Sequence, residues 1–173
     1  YPKASGDIIN SHHLLTHTSG IPNYTAFPKF MEDESRNPYT PEEFVKTFAD
    51  KALDFTPGEK FSYSNSGYFL LGLLVEKLSG KSYEQMLQEK IFAPLNMKDT
   101  FFELPKEKIE RLTTLYEKDK NGGLNVFDSP SKSPFTNNVK LFSGSGGLLS
   151  TTNDYLIFCQ MLLNGGTFNN QRI

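Results

Sequence analysis

Cysteine and tryptophan are almost missing from this sequence, whose 173 residues include one cysteine and no tryptophan. A single cysteine excludes a disulfide framework within the chain, and cysteine and histidine form no cluster with the spacing of a zinc site. Phenylalanine is instead frequent, with 15 residues, so we expect a core built mainly from phenylalanine and leucine.

Neither sign of charge dominates, and long apolar runs are also lacking. The chain has 18 Lys and Arg against 20 Asp and Glu, which leaves no positive excess to neutralise the phosphates of a nucleic acid. Residues 68–75 form the longest apolar run, far shorter than the roughly 20 residues of a membrane-spanning helix. We therefore expect no nucleic-acid partner and no membrane span in this segment.

The length fits one domain, and residues 1–173 show no change of composition that would mark an internal boundary. The sequence starts at Tyr1, without an initiator methionine or a signal-like segment. We expect the chain to be part of a longer protein, so the missing signal carries no information about its compartment.

Capping residues predict where helices begin, because Ser, Thr and Asn side chains accept hydrogen bonds from the first helical N–H groups. The predicted starts are Asn10 or Ser11, Thr40 before Pro41, Asn65 or Ser66, Ser82 and Thr151. Asn121-Gly122-Gly123 predicts a hairpin turn, and the composition of residues 128–138 indicates a surface loop. The segment from Tyr68 to Leu78 is apolar almost all round, which predicts a central, buried helix.

Tyr63-Ser64-Asn65 is the sharpest chemical feature. Two residues that are two apart in an extended segment project to the same side, and a helix begins immediately afterwards. Tyr63 and Asn65 are therefore a candidate pair for proton transfer and substrate orientation. Taken alone, the pattern fits a half-buried tyrosine and an asparagine helix cap better.

Four blocks of sequence surround this motif or flank it: LLTHTSGIP at 14–22, PGEKFSYSNSGY at 57–68, FAPLNMKDT at 92–100 and GGLLSTTND at 146–154. In this order they resemble the class C β-lactamase-like serine hydrolases, which favours the chemical interpretation of Tyr63 and Asn65. This family includes class C β-lactamases, penicillin-binding DD-peptidases, D-aminopeptidases and related esterases.

The resemblance implies a fold and a set of roles. The family attacks an amide, β-lactam or ester carbonyl with a serine in a helical Ser-x-x-Lys motif. The family's Tyr-x-Asn motif maps onto Tyr63, as general base and acid, and Asn65, which orients the lysine and the substrate amide. The resemblance also places the stretch around Ser145 and Gly146 beside the active-site cleft, which makes them candidate substrate-binding residues.

Two elements of the family pattern are not found where they are needed. The literal Ser129-Pro130-Ser131-Lys132 follows Tyr63, and Pro130 together with Pro134 disfavours the required helix. No Lys-Thr-Gly or equivalent follows residue 154. We therefore expect the nucleophile upstream and the third element downstream of this chain. The predicted fold class is α+β and predominantly helical: the helical domain of the fold without most of its core antiparallel sheet.

Other local patterns favour structural interpretations. His13 and His17 are four apart but have no third ligand at a matching spacing, so no metal is predicted. Gly80-Lys81-Ser82 lacks the rest of a phosphate loop, and Asp119-x-Asn121 lacks the later ligands of a calcium loop. Gly144–Gly147 fits a close-packed turn better than an anion cradle.

The function predicted for the parent protein is a serine hydrolase that forms an acyl-enzyme with a β-lactam, D-amino-acid peptide or small ester. No cofactor is implied, and the chain alone is expected to be inactive. The alternative is a non-catalytic pseudoenzyme or binding module of the same fold. Because the sheet would be missing, we also expect exposed apolar helix faces and self-association. The resemblance suggests the cell envelope, periplasm or secretion as the location.

Overall fold

The computed structural model describes residues 6–28, 30, 39–130, 133 and 143–173. The chain divides into two compact units, the first formed by Tyr1–Glu89 with Lys140–Gly146 and the second by Lys90–Val139 with Gly147–Ile173. A single domain over residues 1–173 stays a prediction, because compactness alone does not make a unit fold independently.

The described part of the first unit is helical. Its elements are α1 (Ser11–Leu15), a 3-10 turn (Tyr24–Ala26), α2 (Pro41–Ala49), α3 (Asn65–Ser79) and α4 (Tyr83–Leu87). The chain continues from α4 into a π-helix over Gln88–Phe92. This helical segment ends at Phe92, two residues before Pro94.

Capping boxes start three of these helices, at Asn10, Thr40 and Ser82. Each of these side chains accepts a hydrogen bond from the backbone N–H three residues later, and the side chain at that position binds the cap's own N–H. The predicted starts at Thr40 and Ser82 are confirmed, and of the two candidates for the first helix Asn10 is the cap.

Aromatic side chains dominate the core of the first unit, as the composition predicts. The buried residues that pack together there are Leu14, Ile21, Phe30, Phe44, Phe48 and Phe69. The rings of Phe44 and Phe69 are 4.6 Å apart, a tilted contact that adds specific attraction to the buried area. This core fixes α1, α2 and α3 around the turn at residues 24–26.

The apolar helix α3 is buried along one face only. Phe69 and Gly72 are buried, whereas the side chain of Leu78 is 80% exposed and Leu74 is also exposed. The prediction of a helix buried all round is therefore wrong for its outer face. The pattern identifies apolar residues but does not say what covers them, and the described residues leave Leu74 and Leu78 uncovered.

The described second unit combines a helix with small antiparallel sheets. Strands β1 (Leu115–Lys118) and β2 (Leu124–Asp128) pair with each other, and β3 (Thr167–Phe168) pairs with β4 (Gln171–Arg172). The Asp119 carboxylate accepts the N–H groups of Asn121 and Gly123, which closes the predicted hairpin. Helix α5 (Thr152–Leu163) starts at Thr151, whose hydroxyl accepts the N–H of Asp154, as predicted.

Asp154 joins the first turn of α5 to residues 99–100. One of its carboxylate oxygens accepts the backbone N–H of Asp99 at 2.7 Å and the hydroxyl of Thr100 at 2.9 Å. Phe101 and Leu149 exchange backbone hydrogen bonds nearby. Over the described residues, no helix combines the length and the apolar character needed to cross a membrane.

Candidate functional site

Tyr63 and Asn65 lie at the amino terminus of α3, where the chain changes from extended to helical. Ser64, the cap residue between them, has extended backbone angles (φ −143°, ψ 114°). The Tyr63 hydroxyl donates to Oδ1 of Asn65 over 3.1 Å. The prediction that both side chains project to the same side is thereby confirmed.

Asn65 is held in one orientation by the 3-10 turn at Tyr24–Ala26 and its cap residue, Asn23. Its side-chain amide donates to Oδ1 of Asn23 at 3.1 Å and to Oγ1 of Thr25 at 3.3 Å. Oδ1 of Asn23 also accepts the backbone N–H of Asn65 at 3.1 Å. Since the amide nitrogen faces the turn, the amide oxygen must face Tyr63.

Residues 23–25 therefore belong to the site, although the sequence reasoning gave them no role in it. Backbone contacts strengthen the link, because Ser66 donates its hydroxyl to the Pro22 carbonyl and accepts the N–H of Tyr24. The sequence signal that could have indicated these residues is the pair of polar side chains, Asn23 and Thr25, on either side of Tyr24 directly after the block at 14–22.

Ser145 is attached to the same turn through Tyr24. The hydroxyl oxygens of Tyr24 and Ser145 are 2.8 Å apart, and Ser145 also shares a hydrogen bond with the Ser143 hydroxyl at 2.6 Å. Burial raises the pKa of Tyr24, an effect opposed by the bond to Ser145 and reinforced by the proximity of Tyr63. Tyr24 is therefore a neutral phenol at neutral pH.

The loop that carries Ser145 and Gly146 packs tightly against α3. A Cβ on Gly144 would lie 2.4 Å from the carbonyl oxygen of Tyr68, and one on Gly72 would lie 2.9 Å from the Gly144 nitrogen. These distances leave room only for glycine, which supports the close-packed turn. Gly146 itself faces open space and has a φ of 155°, in the region that favours glycine.

The residues of the competing patterns have other partners. Nδ1 of His13 accepts the N–H of its own helix cap, Asn10, and Nδ1 of His17 accepts the N–H of Ser64. Lys81 forms an ion pair with Glu89, and Ser82 caps α4. In the Ser-x-x-Lys pattern at 129–132, residues 131 and 132 lie outside the described part of the chain.

With this geometry established, comparison with known proteins identifies the family. A family model described as Beta-lactamase matches residues 2–173, so the chain belongs to the beta-lactamase family and has a beta-lactamase-like fold.

By name, the relatives include penicillin-binding proteins and a D-amino acid amidase. Penicillin-binding protein 4* of Bacillus subtilis is 33% identical over 158 residues, covering 87% of this chain and 34% of that protein. A D-amino acid amidase from Ochrobactrum anthropi SV3, complexed with L-phenylalanine amide, superposes with a TM-score of 0.74. It is 31% identical and covers 95% of this chain and 45% of its own.

A third relative is an octameric penicillin-binding protein homologue from Pyrococcus abyssi. It superposes with a TM-score of 0.67 at 34% identity, over 90% of this chain and 35% of the homologue. The chain thus spans less than half the length of each of these relatives.

Proposed function

We propose that this chain is the helical part of a class C-like serine hydrolase, in which Tyr63 transfers protons and Asn65 orients the reacting groups. The observation that carries the proposal is the hydrogen bond from Tyr63 to Asn65 at the start of α3, with the Asn65 amide fixed by Asn23 and Thr25. The nucleophilic serine and its lysine would come from other segments of the full-length protein.

The proposed reaction needs both residues in that geometry. The serine hydroxyl would add to the substrate carbonyl as its proton passes to Tyr63, deprotonated beside the lysine ammonium, and the leaving group would then receive that proton from Tyr63. Water repeats the sequence on the acyl-enzyme. The hydroxyl that donates to Asn65 is the protonated form of Tyr63, which would supply the proton to the leaving group.

Electrostatics explains why the lysine is required. The amino terminus of α3 favours negative charge on Tyr63, but such a terminus contributes only about 1 kcal/mol at an exposed position. Tyr63 is 56% exposed here, and within the described residues its hydroxyl has Asn65 as its hydrogen-bond partner. A neighbouring ammonium would supply the larger part of the stabilisation.

The substrate class we propose is a D-amino-acid amide or peptide, a β-lactam or a small ester. The names of the relatives, a D-amino acid amidase and penicillin-binding proteins, support this range. Ser145 and Gly146 would line the acyl side of the cleft, since Ser145 and Asn65 are both bound to residues 23–25.

Covalent labelling of the full-length protein tests the proposal. A fluorescent penicillin and a fluorophosphonate are added to wild type, Tyr63→Phe and Asn65→Ala, and adducts are followed by intact mass. We expect an adduct on a serine outside this chain, formed about 10²-fold more slowly in Tyr63→Phe. Tyr116→Phe is the matched control, because Tyr116 is equally exposed but lies on β1.

The outcomes separate the candidate functions. Labelling by penicillin favours a peptidase or lactamase, and labelling by fluorophosphonate alone favours an esterase. A folded full-length protein that reacts with neither reagent would instead be a non-catalytic module of the same fold.

Self-association through exposed helix faces is proposed as a property of this chain. Leu156, Leu162 and Leu163 on α5 are exposed, as are Leu74 and Leu78 on α3. The octameric state of the Pyrococcus abyssi homologue supports the idea. Sedimentation of the isolated chain should show oligomers, and a monomer that binds no hydrophobic dye would contradict it.

A further inference from the structure

Two hydrogen bonds connect His17 to the segment that contains Tyr63. Its Nδ1 accepts the backbone N–H of Ser64 at 3.2 Å, and its carbonyl oxygen accepts the N–H of Ser62 at 2.9 Å. Ser64 is 3% exposed, so its N–H has little access to water as an alternative partner. His17 thereby binds the residues on both sides of Tyr63.

The imidazole ring also packs against the tyrosine itself. The ring centroid of His17 lies 4.5 Å from that of Tyr63, at an interplanar angle of 36°. On α3, Tyr68 stacks on the same imidazole at 4.9 Å and 27°, and Phe61 meets it edge-on at 5.8 Å. The imidazole thus contacts rings from the segment before α3 and from α3 itself.

The backbone of His17 indicates that this placement is specific. Its φ is +56°, in the left-handed region that only a few per cent of non-glycine residues adopt. The following residues are also anchored, because the carbonyls of Thr18 and Gly20 accept the N–H groups of Gly58 and Asp54. The left-handed turn brings Nδ1 to Ser64, and the pairing beyond it fixes the turn.

We propose that His17 is a positioning residue for Tyr63, acting through the acceptor Nδ1 and the bond to Ser64. This inference rests on the proposed function, in which Tyr63 transfers protons. To accept the Ser64 N–H, Nδ1 must be unprotonated, so the neutral ring carries its proton on Nε2. With the segment fixed on both sides, the Tyr63 hydroxyl is held at one distance from Asn65 and from the reacting atoms.

Two substitutions separate the acceptor from the ring. In His17→Asn, Oδ1 takes the place of Nδ1 and asparagine tolerates a positive φ, so the bond to Ser64 is kept while the ring is lost. In His17→Phe, the ring contacts are kept and the acceptor is lost. His17→Gly, which keeps the backbone angle and removes both features, reports the combined loss.

The acylation rate of the full-length protein by a fluorescent penicillin, or by the fluorophosphonate if only that reacts, is the readout. A displacement of about 1 Å in a catalytic group costs up to about 10²-fold in rate, so we expect His17→Phe to lose at least about tenfold and His17→Asn to lose about threefold or less. We expect a lower maximal acylation rate and an unchanged probe concentration at half-saturation. Equal rates in His17→Phe and wild type would overturn the proposal.

A double substitution distinguishes positioning from general damage to the fold. If His17 acts through Tyr63, the substitution His17→Phe has little further effect once Tyr63 is phenylalanine. If it merely weakens the structure, the two losses multiply, which would overturn the proposal.

The proposed function and the positioning role fail in different ways. Should Tyr63→Phe leave acylation unchanged, the proposed function fails, and the NMR signals of the Tyr63 ring and the Ser64 amide decide the positioning role. Both signals must shift in His17→Phe, and the Ser64 amide must stay near its wild-type position in His17→Asn. An unmoved Ser64 amide in His17→Phe would contradict the role.

Discussion

The hydroxyl oxygen of Tyr24 lies 2.8 Å from that of Ser145, a residue 121 positions further along the chain. This bond connects the turn that orients Asn65 to the loop that carries Ser145 and Gly146. Because the same turn binds Asn65 through Asn23 and Thr25, three separate stretches of sequence meet at residues 23–25.

Removing the Tyr24 hydroxyl should cost a measurable but small part of the stability. A hydrogen bond of this kind contributes about 0.5–1.5 kcal/mol, so Tyr24→Phe and Ser145→Ala should each lower the free energy of unfolding by that amount. The double variant should lose less than the sum, with a coupling of about 1 kcal/mol, measured by chemical denaturation. Tyr155→Phe, at an exposed position on α5, is the control, and additive losses would argue against a direct bond.

Substitution by alanine should have opposite effects on stability at two glycines of α3. Gly72→Ala places a Cβ 2.9 Å from the Gly144 nitrogen, and such overpacking should cost about 1–3 kcal/mol. Gly67→Ala meets its nearest atom, the Leu14 carbonyl oxygen, at 3.6 Å, so the gain in helix propensity should stabilise the chain by up to about 1 kcal/mol. Thermal unfolding of both variants checks the difference, and equal melting temperatures would refute the close approach of residues 72 and 144.

Among the polar residues of the second unit that have described partners, Asp154 should contribute most to the free energy of unfolding. Asp154 is 7% exposed. Asp154→Ala removes the acceptor of the Asp99 N–H and one of the two partners of the Thr100 hydroxyl, which keeps Ser150, at about 1–3 kcal/mol in total. Asp154→Asn keeps an acceptor oxygen and should lose less than half of that. Denaturant titration of the two variants measures this, and an alanine variant as stable as wild type would contradict it.

Acid should destabilise the second unit through Asp99. Hydrogen bonds from Arg111 and Lys108 lower the pKa of Asp99 from its ordinary value of 3.8 to about 2. The stabilisation is therefore complete above pH 4 and is lost as the pH falls towards about 2. In Asp99→Asn the fall in melting temperature between pH 4 and pH 2 should be shallower than in wild type. An Asp99→Asn variant whose melting temperature falls as steeply as that of wild type would contradict this prediction.

The helices and the hairpin were predictable because their signals are local. Thr40, Ser82 and Thr151 act within three residues of themselves, and the Asn-Gly-Gly turn acts within its own loop. The orientation of Tyr63 and Asn65 was also predictable, since the alternation of side chains in an extended segment needs no tertiary information.

The surroundings of that pair were not predictable from spacing. Asn23 and Thr25 reach Asn65 across some forty residues, and His17 reaches Ser64 across a similar stretch. These contacts depend on how the segments pack, which no local pattern encodes. His17 shows the difficulty well, because its spacing from His13 draws attention to metal binding, whereas its imidazole is used as a hydrogen-bond acceptor.

The turn at residues 23–25 limits how the proposed cleft can be redesigned. Asn23 and Thr25 face Asn65, while Tyr24 between them faces Ser145. An insertion or deletion here would shift both contacts at once. A change of loop length therefore cannot alter the contact with Asn65 without also altering the contact with Ser145. An engineer who seeks a different acyl preference should transplant residues 17–25 together with 61–66 as one cassette, and vary single side chains only within it.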